Sequence, residues 1–335
     1  WRAPRNSDSE DSVEAPIPVD GVVQHYDWGD RTYIPQLLHR TADGRPWAEL
    51  WLGTHPSGPA TIAGEPLTAR TGELPYLLKV LAAATPLSLQ AHPNRQQALD
   101  GHARGIYPDD RAKPELLCAL TRFDALCGIR PIHATLTLLG ALDVEPLAAA
   151  IRADGIGAVI EGLYRGRIDP RPTVIACSRS QRPEAELVTQ LAARYPDDPS
   201  VVVTLLLNRV TLQPGEAIHL TAGNLHAYLS GAGIELMGAS DNVVRGGLTA
   251  KPVDVDELLR ILDTTPLAEP VMKRAARSGR YPLPEAGCTL VRVESGRTHA
   301  STGHELAIDL DGRTLYLPPG STLAATAVTF VVTTP

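Results

Sequence analysis

The sequence has little lysine. Of its 31 basic residues only four are lysine, and the others are arginine; the four are Lys79, Lys113, Lys251 and Lys273. A lysine ammonium is a compact point charge, whereas arginine carries a planar fork of donors, so the two are not interchangeable in a binding site. The positions that keep lysine are therefore candidates for a site, although chance and overall composition explain any one of them equally well.

Paired cysteines, long apolar runs and a secretion signal are also lacking. The four cysteines form no C-x-x-C pair and follow no regular spacing, which is typical of reduced thiols in a cytoplasm. No apolar run reaches the ~18 residues that a membrane span needs, and the longest, residues 201–207, has the length of a buried strand. The start of the chain shows no basic, apolar and small-residue signal pattern. These absences predict a cytoplasmic protein with no membrane partner.

An excess of positive charge is missing too. Lys and Arg number 31 against 38 Asp and Glu, a net charge of −7, and this excludes a general binder of nucleic acid or anionic membranes, whose affinity depends on pooled positive charge. The chain does have a hydrophobic fraction of 43%, enough for buried cores. Its 335 residues predict two or three domains at ~150 residues each. The polar, acidic residues 5–15 predict a loose leader, a trimmed start or a tag remnant.

The chain divides into three regions with different sequence patterns. Residues 17–120 contain short strands broken by proline and glycine, residues 121–199 carry helical periodicity, and strands return from residue 200. The predicted strands are 47–54, 67–71, 87–92, 201–207, 209–212 and 217–220, with further short strands over 281–335. The predicted helices are 132–142, 146–153, 156–164, 182–195 and 254–262. This order predicts a mainly β protein with an all-α insert.

An internal echo links the two strand-rich parts. Residues 215–226 align without gaps onto residues 312–323, and each copy contains a turn glycine, a strand, a second turn closed by glycine, and a residue directed back into the sheet. The pattern resembles the G-x5-P-x-G-x2-H hairpin of the cupin superfamily, a small jelly-roll barrel. Thr221 stands where proline is usual, and Leu323 stands where the second copy would need a metal-binding histidine. The echo predicts two barrels of which only the first holds a metal, although an ordinary hairpin can produce the same match by accident.

The most informative segment is PLSLQAHP, residues 86–93. On a strand, Gln90 and His92 are two positions apart and project from one face. Glu115 follows in the segment Lys113-Pro-Glu, and His226 ends the first copy of the echo. One amide oxygen, one carboxylate and two imidazoles form a mixed N/O set that suits Zn²⁺, with other divalent ions also possible. Taken singly, each of these residues is more often structural, so the prediction depends on their coincidence.

The other eight histidines have no such context, and we expect them to be structural: His25, His39, His55, His102, His133, His219, His299 and His304.

Seven segments, in this order, resemble one family. They are QHYDWG (24–29), AELWLGTHPSGPA (48–60), LPYLLKVL (74–81), PLSLQAHP (86–93), KPELLCAL (113–120), GNLHAYL (223–229) and IELMGASDNVVRGGLTAK (234–251). Together they resemble the type I mannose-6-phosphate isomerases, the zinc-dependent phosphomannose isomerases of the cupin superfamily. The resemblance covers about residues 22–262 and is most specific in PLSLQAHP and SDNVVRGGLTAK.

The resemblance implies a fold of two cupin jelly-roll barrels. The first, catalytic barrel would comprise residues 17–120 and 200–262, interrupted by an all-α domain at 121–199, and residues 263–335 would form a C-terminal cupin-like domain without a metal site. It also implies one zinc ion per chain, bound by Gln90, His92, Glu115 and His226. We further expect a monomer whose partner is a small sugar phosphate.

The resemblance also implies roles for residues around the metal. Arg245 matches the catalytic arginine of the family, and the remaining active-site positions fall on Trp28, Lys79, Ser88, Lys113, Glu235, Asp241 and Lys251. Simpler explanations stay open for some of them: packing for Trp28, a structural ion pair for Arg245 and an exposed charge for Lys251. The family commonly has Asn-His before its Lys-Pro-Glu, where this chain has Arg111-Ala112. A proton-transfer role for that histidine therefore cannot apply here.

The expected activity is the interconversion of mannose 6-phosphate and fructose 6-phosphate through a metal-stabilised enediol. A divalent ion can polarise the sugar oxygens, and a positioned base must carry the proton between C2 and C1. Glu235 is the first candidate base and Lys113 its competitor, while Arg245 would stabilise enediolate charge or bind phosphate. Two alternatives remain, a cupin metalloenzyme for another sugar phosphate and a non-catalytic cupin that binds a sugar phosphate.

Overall fold

The computed structural model describes residues 14–334, except the side chain of Arg274. Most of the predicted leader, residues 5–15, lies outside the described residues. None of the helices in the described part of the chain has the length and apolarity that a membrane crossing requires.

The described residues form twenty strands. They are β1 (Ile17–Pro18), β2 (Val22–Gln24), β3 (Glu49–Gly53), β4 (Thr61–Ile62), β5 (Glu65–Pro66), β6 (Tyr76–Ala83), β7 (Leu89–Ala91), β8 (Glu115–Ala119), β9 (Phe123–Ile129), β10 (Leu207–Leu212), β11 (Ala217–Leu220), β12 (His226–Gly238), β13 (Val244–Gly247), β14 (Arg280–Leu283), β15 (Cys288–Val293), β16 (Thr298–Ala300), β17 (Glu305–Asp309), β18 (Thr314–Leu317), β19 (Thr322–Ala324) and β20 (Thr329–Thr333).

The same residues form eleven α-helices. They are α1 (Tyr33–Leu37), α2 (Thr68–Thr71), α3 (Arg95–Ala103), α4 (Ile132–Ala141), α5 (Glu145–Asp154), α6 (Ile156–Tyr164), α7 (Arg171–Cys177), α8 (Pro183–Arg194), α9 (Ser200–Val203), α10 (Val255–Ile261) and α11 (Lys273–Ser278). Two short 3₁₀ helices lie at Thr204–Leu206 and Pro284–Ala286.

Most strands belong to two antiparallel sheets. The large sheet has ten strands, with β10-β9-β12-β6-β3-β2 as its main path and β7, β8, β11 and β13 attached to it. The C-terminal sheet has six strands in the order β1-β18-β17-β20-β15-β14. At the centre of the large sheet, all eight residues of β6 are buried between β3 and β12. Such a near-continuous apolar strand is what two covered faces require. The chain is therefore rich in sheet, with helices, as the sequence predicts.

Six helices, α4 to α9, run consecutively between β9 and β10, and we call them the helical run. The predicted helices at 132–142, 146–153, 156–164 and 182–195 coincide with α4, α5, α6 and α8 to within two residues. These helices bury one face, which gives the 3.6-residue period that the sequence shows. In α6, for example, the buried positions are Ile156, Val159, Ile160, Gly162 and Leu163.

The helical run does not coincide with residues 121–199, the range predicted for the all-α insert. Its predicted start, residue 121, precedes β9, which pairs with β10 and β12 in the large sheet, so the helical run begins only at Ile132. At the other end, the predicted strand 201–207 is helix α9 followed by the 3₁₀ turn Thr204–Leu206. Every residue of these two helical turns is buried. A short, wholly apolar segment has the same pattern as a strand or as a helix, so periodicity cannot distinguish them.

A third correction concerns residues 67–71, which the sequence predicts to be a strand. Thr68–Thr71 form helix α2, and the chain then leaves the helix at Gly72, whose φ is +64°. A glycine with positive φ is a common way to end a helix.

The internal echo has the same order of strand, glycine turn and strand in both copies. In the first copy the strand β11 is followed by a turn at Gly223 and by β12, which begins at His226. In the second, β18 is followed by a turn at Gly320 and by β19, which contains Leu323. The two turn glycines have φ of +74° and +80°, a region open to glycine at little cost. In both copies the two strands pair with other strands: β11 with β8 and β12 with β6 to β9 in the first copy, and β18 with β17 and β19 with β16 in the second.

The helical run is packed against strands β7 and β13 and the start of β12. One apolar core contains Leu163 and Val188 of the run together with Leu89 on β7, Leu225 just before β12, and Val244 on β13. Because buried side chains interlock at close to crystal density, this shared core fixes the position of the run relative to these three strands.

Candidate metal centre and cavity

Three of the predicted metal ligands converge in the interior of the large sheet. His92, Glu115 and His226 are 1%, 2% and 0% exposed. The Nε2 atom of His92 lies 3.3 Å from Oε1 of Glu115, and Nε2 of His226 lies 3.3 Å from Oε2 of the same carboxylate. Within residues 14–334 they form the one group of three or more His, Cys, Asp or Glu side chains close enough together to hold a metal ion.

The two imidazoles are oriented by their other nitrogens. Nδ1 of His92 donates to the backbone carbonyl of Asn242, and Nδ1 of His226 to that of Asn224, each at 2.8 Å. A carbonyl only accepts, so both Nδ1 atoms carry the proton and both Nε2 lone pairs face Glu115. This is the arrangement of metal-binding histidines in proteins, in which the second nitrogen donates to a fixed acceptor.

The ligand atoms themselves have no partner. Nε2 of His92, Nε2 of His226 and Oε2 of Glu115 are buried and make no hydrogen bond. Unsatisfied buried polar atoms cost roughly 1–3 kcal/mol each, so their convergence calls for a cation between them. Two imidazoles and a carboxylate suit zinc. The residues present therefore fit a divalent metal ion.

Burial and charge keep two of these ligands, His92 and Glu115, in their metal-binding protonation states. Burial lowers the pKa of His92 to about 4, which keeps its imidazole neutral. Burial alone would raise the pKa of Glu115, but Lys113 and His92 outweigh it and hold that pKa well below its usual range. The Lys113 ammonium lies 3.0 Å from Oε1 of Glu115.

Gln90, the fourth predicted ligand, lies in the same row of side chains. It pairs directly with His226 on one side and with Arg245 on the other, across β12, β7 and β13. Residues directly opposite each other in antiparallel strands share a face of the sheet. Gln90 therefore stands between a candidate ligand and the candidate catalytic arginine.

A cavity of about 870 Å³ opens beside this centre. Ten of the twelve predicted site residues line it: Trp28, Lys79, Ser88, Gln90, Lys113, Glu115, Glu235, Asp241, Arg245 and Lys251. The other two, His92 and His226, are buried behind the wall at Glu115. The structure thus brings together all the residues that the sequence singles out.

Lys79 is enclosed by partners. Its ammonium lies 3.0 Å from Oε2 of Glu235 and 3.4 Å from Oε1 of Glu49, and it sits 5.2 Å from the centre of the Trp51 ring. Burial would lower the pKa of Lys79, but Glu235 and Glu49 raise it above its usual value. The lysine is therefore a permanent positive charge between two carboxylates.

Glu235 faces the cavity from β12. Its Oε1 accepts a hydrogen bond of 2.9 Å from the Tyr228 hydroxyl, and its Oε2 contacts Lys79. Burial raises the pKa of Glu235 above its usual value despite the nearby ammonium. A buried carboxyl group held at both oxygens and open to a cavity is suited to moving a proton.

Sequence reasoning missed several residues of the wall. Glu49 and Trp51 alternate on β3 and join the Lys79 cluster, where the Trp51 indole donates to Glu49 at 2.6 Å. His55, predicted to be structural, lines the cavity and lies 3.2 Å from the Asp241 carboxylate. Arg194 and Tyr195, at the end of α8, also line it. The alternation in AELWLG could have indicated the first two, but no local signal marks the others.

Comparison with known proteins places the chain in a family. Residues 17–132 match the family model described as "Phosphomannose isomerase type I, catalytic domain". The mannose-6-phosphate isomerase of Bos taurus is 34% identical over 312 residues, which are 75% of this chain and 73% of that protein. Its counterpart in Shigella flexneri is 34% identical over 286 residues, 71% of this chain and 72% of that protein. The chain belongs to the type I phosphomannose isomerase family.

Solved structures of phosphomannose isomerases agree with this assignment. A mutant from Salmonella typhimurium superposes with a TM-score of 0.83 at 25% identity, covering 96% of this chain and 100% of that one. A mannose 6-phosphate isomerase described as zinc-bound gives a TM-score of 0.78 at 27% identity, covering 96% and 100% of the two chains.

In this phosphomannose isomerase fold the positive charges of the cavity are of two kinds. Lys79 and Lys113 are each paired with a buried carboxylate. Arg194, Arg245 and Lys251 also line the cavity, yet none of them has a carboxylate partner within 4.0 Å in the described part of the chain. The unpaired cations are the ones available to an anionic ligand.

Proposed function

We propose that the protein is a zinc-dependent isomerase that interconverts mannose 6-phosphate and fructose 6-phosphate. The observation that carries the proposal is the convergence of three buried, unpartnered ligand atoms beside a cavity that holds a carboxyl group and unpaired cations. The family membership supports the same substrate, because the relatives bear the name mannose-6-phosphate isomerase.

One zinc ion per chain would be held by His92, Glu115 and His226, with Gln90 as the fourth ligand. When bound, zinc supplies a Lewis acid that polarises sugar oxygens. The buried, neutral imidazole of His92 and the ionised carboxylate of Glu115 supply two of these ligands without any further loss of protons.

The isomerisation moves one hydrogen from C2 to C1 and one from O2 to O1 of the open-chain sugar, through an enediol. We assign the carbon proton to Glu235, which would take it from C2 and return it to C1. Tyr228 and Lys79 hold the two oxygens of that carboxylate in place. Lys113 is the weaker candidate base, because a lysine that accepts a proton must first be neutral and would then lose its ion pair with Glu115.

Charge on the substrate would be met by the unpaired cations of the cavity. Arg245, beside Gln90, would stabilise enediolate charge, since its guanidinium is permanently charged and carries a fork of donors. Lys251, exposed at the rim, would bind the phosphate. Trp28, Lys79, Ser88 and Asp241 complete the proposed substrate-binding wall.

The fold proposed for this activity is a pair of cupin jelly-roll barrels. With β9 included and β1 assigned to the C-terminal sheet, the catalytic barrel would comprise residues 20–131 and 207–262, the all-α insert residues 132–206, and the metal-free C-terminal barrel residues 263–334 together with residues 17–19. The large sheet, the helical run and the C-terminal sheet support this division. A cytoplasmic location and a monomeric state stay predictions from the sequence.

The decisive experiment combines metal analysis with a turnover assay on the purified protein. We expect about one zinc per chain, loss of mannose 6-phosphate turnover after chelation, and its recovery on adding Zn²⁺. Parallel assays with other aldose phosphates separate this activity from that of an isomerase for another sugar phosphate. Tight binding of mannose 6-phosphate without formation of fructose 6-phosphate would instead support a non-catalytic binding protein.

A further inference from the structure

The segment that follows Arg245 has an unusual backbone. The register of β13 against β7 shifts between Arg245 and Gly247. Gly247 has a φ of +122° and Leu248 a φ of +52°. A leucine in the left-handed region is rare and persists only where the surroundings enforce it. Leu248 is only 1% exposed, so something in the interior must hold this turn.

The helical run supplies the contacts that hold it. Oδ2 of Asp198 accepts a hydrogen bond of 2.8 Å from the backbone N–H of Leu248, and Oγ of Ser200 lies 3.1 Å from the same nitrogen. The other oxygen of Asp198 accepts the Ser200 N–H at 2.9 Å, which fixes the carboxylate. From α6, the Tyr164 hydroxyl donates to the carbonyl of Gly246. Three residues of the helical run thus bind two residues of one turn, Gly246 and Leu248.

The fit between the two segments leaves no spare room. A Cβ atom added at Gly247 would lie 2.1 Å from Oγ of Ser200 and 3.0 Å from Oδ1 of Asp198. The loop can therefore approach Asp198 this closely only because residue 247 is glycine.

Asp198 has no competing partner in the described residues. It forms no ion pair with lysine, arginine or histidine there, and its hydrogen bonds go to the two backbone N–H groups. A carboxylate bound to backbone N–H makes charge-assisted hydrogen bonds, which are about twice as strong as neutral ones. Its evident role is to fix the backbone of the loop.

That loop leads directly into the active-site wall. Arg245 lies opposite Gln90, and Leu248, Thr249 and Lys251 line the cavity. A displacement of this turn would move the guanidinium of Arg245 and the ammonium of Lys251 together.

We propose that Asp198 is a positioning residue for Arg245. Through its hydrogen bond with the Leu248 N–H, Asp198 fixes the backbone position of residues 245–251. The helical run therefore determines the position of the Arg245 side chain. The inference rests on the proposed isomerase activity.

The first test is the variant Asp198→Ala, which leaves the Leu248 N–H without its carboxylate. A catalytic group displaced by about 1 Å can cost as much as 10²-fold in rate, so we expect kcat to fall by about 10- to 10²-fold. KM should change less and zinc content should stay at the wild-type value. Asp198→Asn keeps one acceptor oxygen and should recover part of the rate. The matched control is Glu145→Gln, which removes an exposed ion pair with Arg152 on the same run and should leave kcat unchanged.

A double-mutant cycle separates positioning from general weakening. Arg245→Ala should by itself lower kcat by about 10²- to 10³-fold, as loss of a charge-stabilising donor does. If Asp198 acts through Arg245, adding Asp198→Ala to Arg245→Ala should cost little further rate. A second full loss in the double variant, or a folded Asp198→Ala enzyme with normal kcat, would overturn the inference.

Hydrogen exchange provides a readout that does not need turnover. In the wild-type protein the Leu248 amide should be protected, and in Asp198→Ala the peptide covering 244–251 should exchange at least tenfold faster, while distant peptides keep their rates. Unchanged exchange in that peptide contradicts the inference even if activity falls. A wild-type protein that does not isomerise mannose 6-phosphate, yet shows the exchange difference, contradicts the proposed function alone.

Discussion

Strand β11 and the start of β12 in the large sheet can be compared residue by residue with β18 and β19 in the C-terminal part of the chain. In the first copy, His226 lies opposite Gln90 on β7. In the second, Leu323 lies opposite His299 on β16. His299 therefore occupies in the second copy the position that Gln90 occupies in the first, although the residue types differ.

The turn glycines extend the correspondence. The N–H of Gly223 donates to the carbonyl of His92 at 2.9 Å, and that of Gly320 donates to the carbonyl of Ser301 at 3.0 Å. Ser301 therefore occupies the place of His92.

The carboxylates correspond as well. Glu115 on β8 pairs with Leu220, the last residue of β11, and Glu305 on β17 pairs with Leu317, the last residue of β18. The second copy thus carries counterparts of the whole ligand set, which are His299 for Gln90, Ser301 for His92, Glu305 for Glu115 and Leu323 for His226.

The two buried carboxylates are satisfied in different ways. Glu115 faces two imidazoles whose Nε2 atoms make no hydrogen bond, which leaves room and need for a cation. Glu305 is 0% exposed, yet its Oε2 lies 2.6 Å from Nε2 of His299 and its Oε1 accepts the Thr302 N–H. A cavity of about 620 Å³ lies beside this pair too. The comparison teaches that the same arrangement of strands can place a buried carboxylate either at a metal site or against an imidazole. The neighbouring side chains determine which of the two occurs.

The largest effect on zinc binding and turnover is expected when His226 of the first copy is replaced by leucine, the residue at the equivalent position of the second copy. His226→Leu removes one of the ligands while keeping an apolar volume in the core, so we expect zinc to be lost. Because loss of an outer-shell partner alone costs 10- to 100-fold at metal sites, turnover should fall by more than about 10²-fold. Metal analysis and the mannose 6-phosphate assay measure both effects. Zinc retained at one per chain with normal turnover would show that His226 is not a ligand.

A smaller effect is expected from His299→Ala in the second copy. It leaves the buried Glu305 without its imidazole. Loss of the partner of a buried polar group costs roughly 1–3 kcal/mol, and more for a charged group, so we expect the free energy of unfolding to fall by about 2–3 kcal/mol. Denaturant unfolding measures the loss, and zinc content and kcat should match the wild type. A parallel loss of zinc would contradict the separation of the two copies.

The smallest effect is expected from Leu323→His, which restores the imidazole that the second copy lacks. Ser301 still stands in place of the second imidazole, and Glu305 is already bound to His299, so zinc should stay at one per chain. Burying an imidazole without a partner should cost about 1–3 kcal/mol of unfolding free energy. A second equivalent of zinc in this variant would show that a single side chain separates the two copies.

Much of the secondary structure could be predicted because it has a local cause. Helices α4, α5, α6 and α8 show their period, since each has one buried and one exposed face. Helix α9 could not be distinguished from a strand, because it is buried all round. Helix α3 was missed although Asn94 and Gln97 form a capping box at its start, a signal that the sequence does contain.

The candidate site likewise contains residues that local sequence patterns predict and residues that only long-range contacts bring together. Gln90, His92, Glu115 and His226 lie in short segments whose spacing already points to a metal. Asp198 contacts Leu248, fifty residues further along the chain, and His55 contacts Asp241 across a still longer separation. Contacts of this kind leave no local pattern, because only the packing of distant segments creates them.

The lysines show which properties of the site follow from the sequence and which depend on the tertiary structure. The sequence by itself determined which residue types the site would contain, including three of the four lysines, and all three line the cavity. Only the tertiary structure decided what each lysine does: Lys79 and Lys113 are neutralised by buried carboxylates, whereas Lys251 stays unpaired at the rim. The reason is that charge pairing requires atoms within about 4 Å, and the register between strands distant in sequence sets such distances.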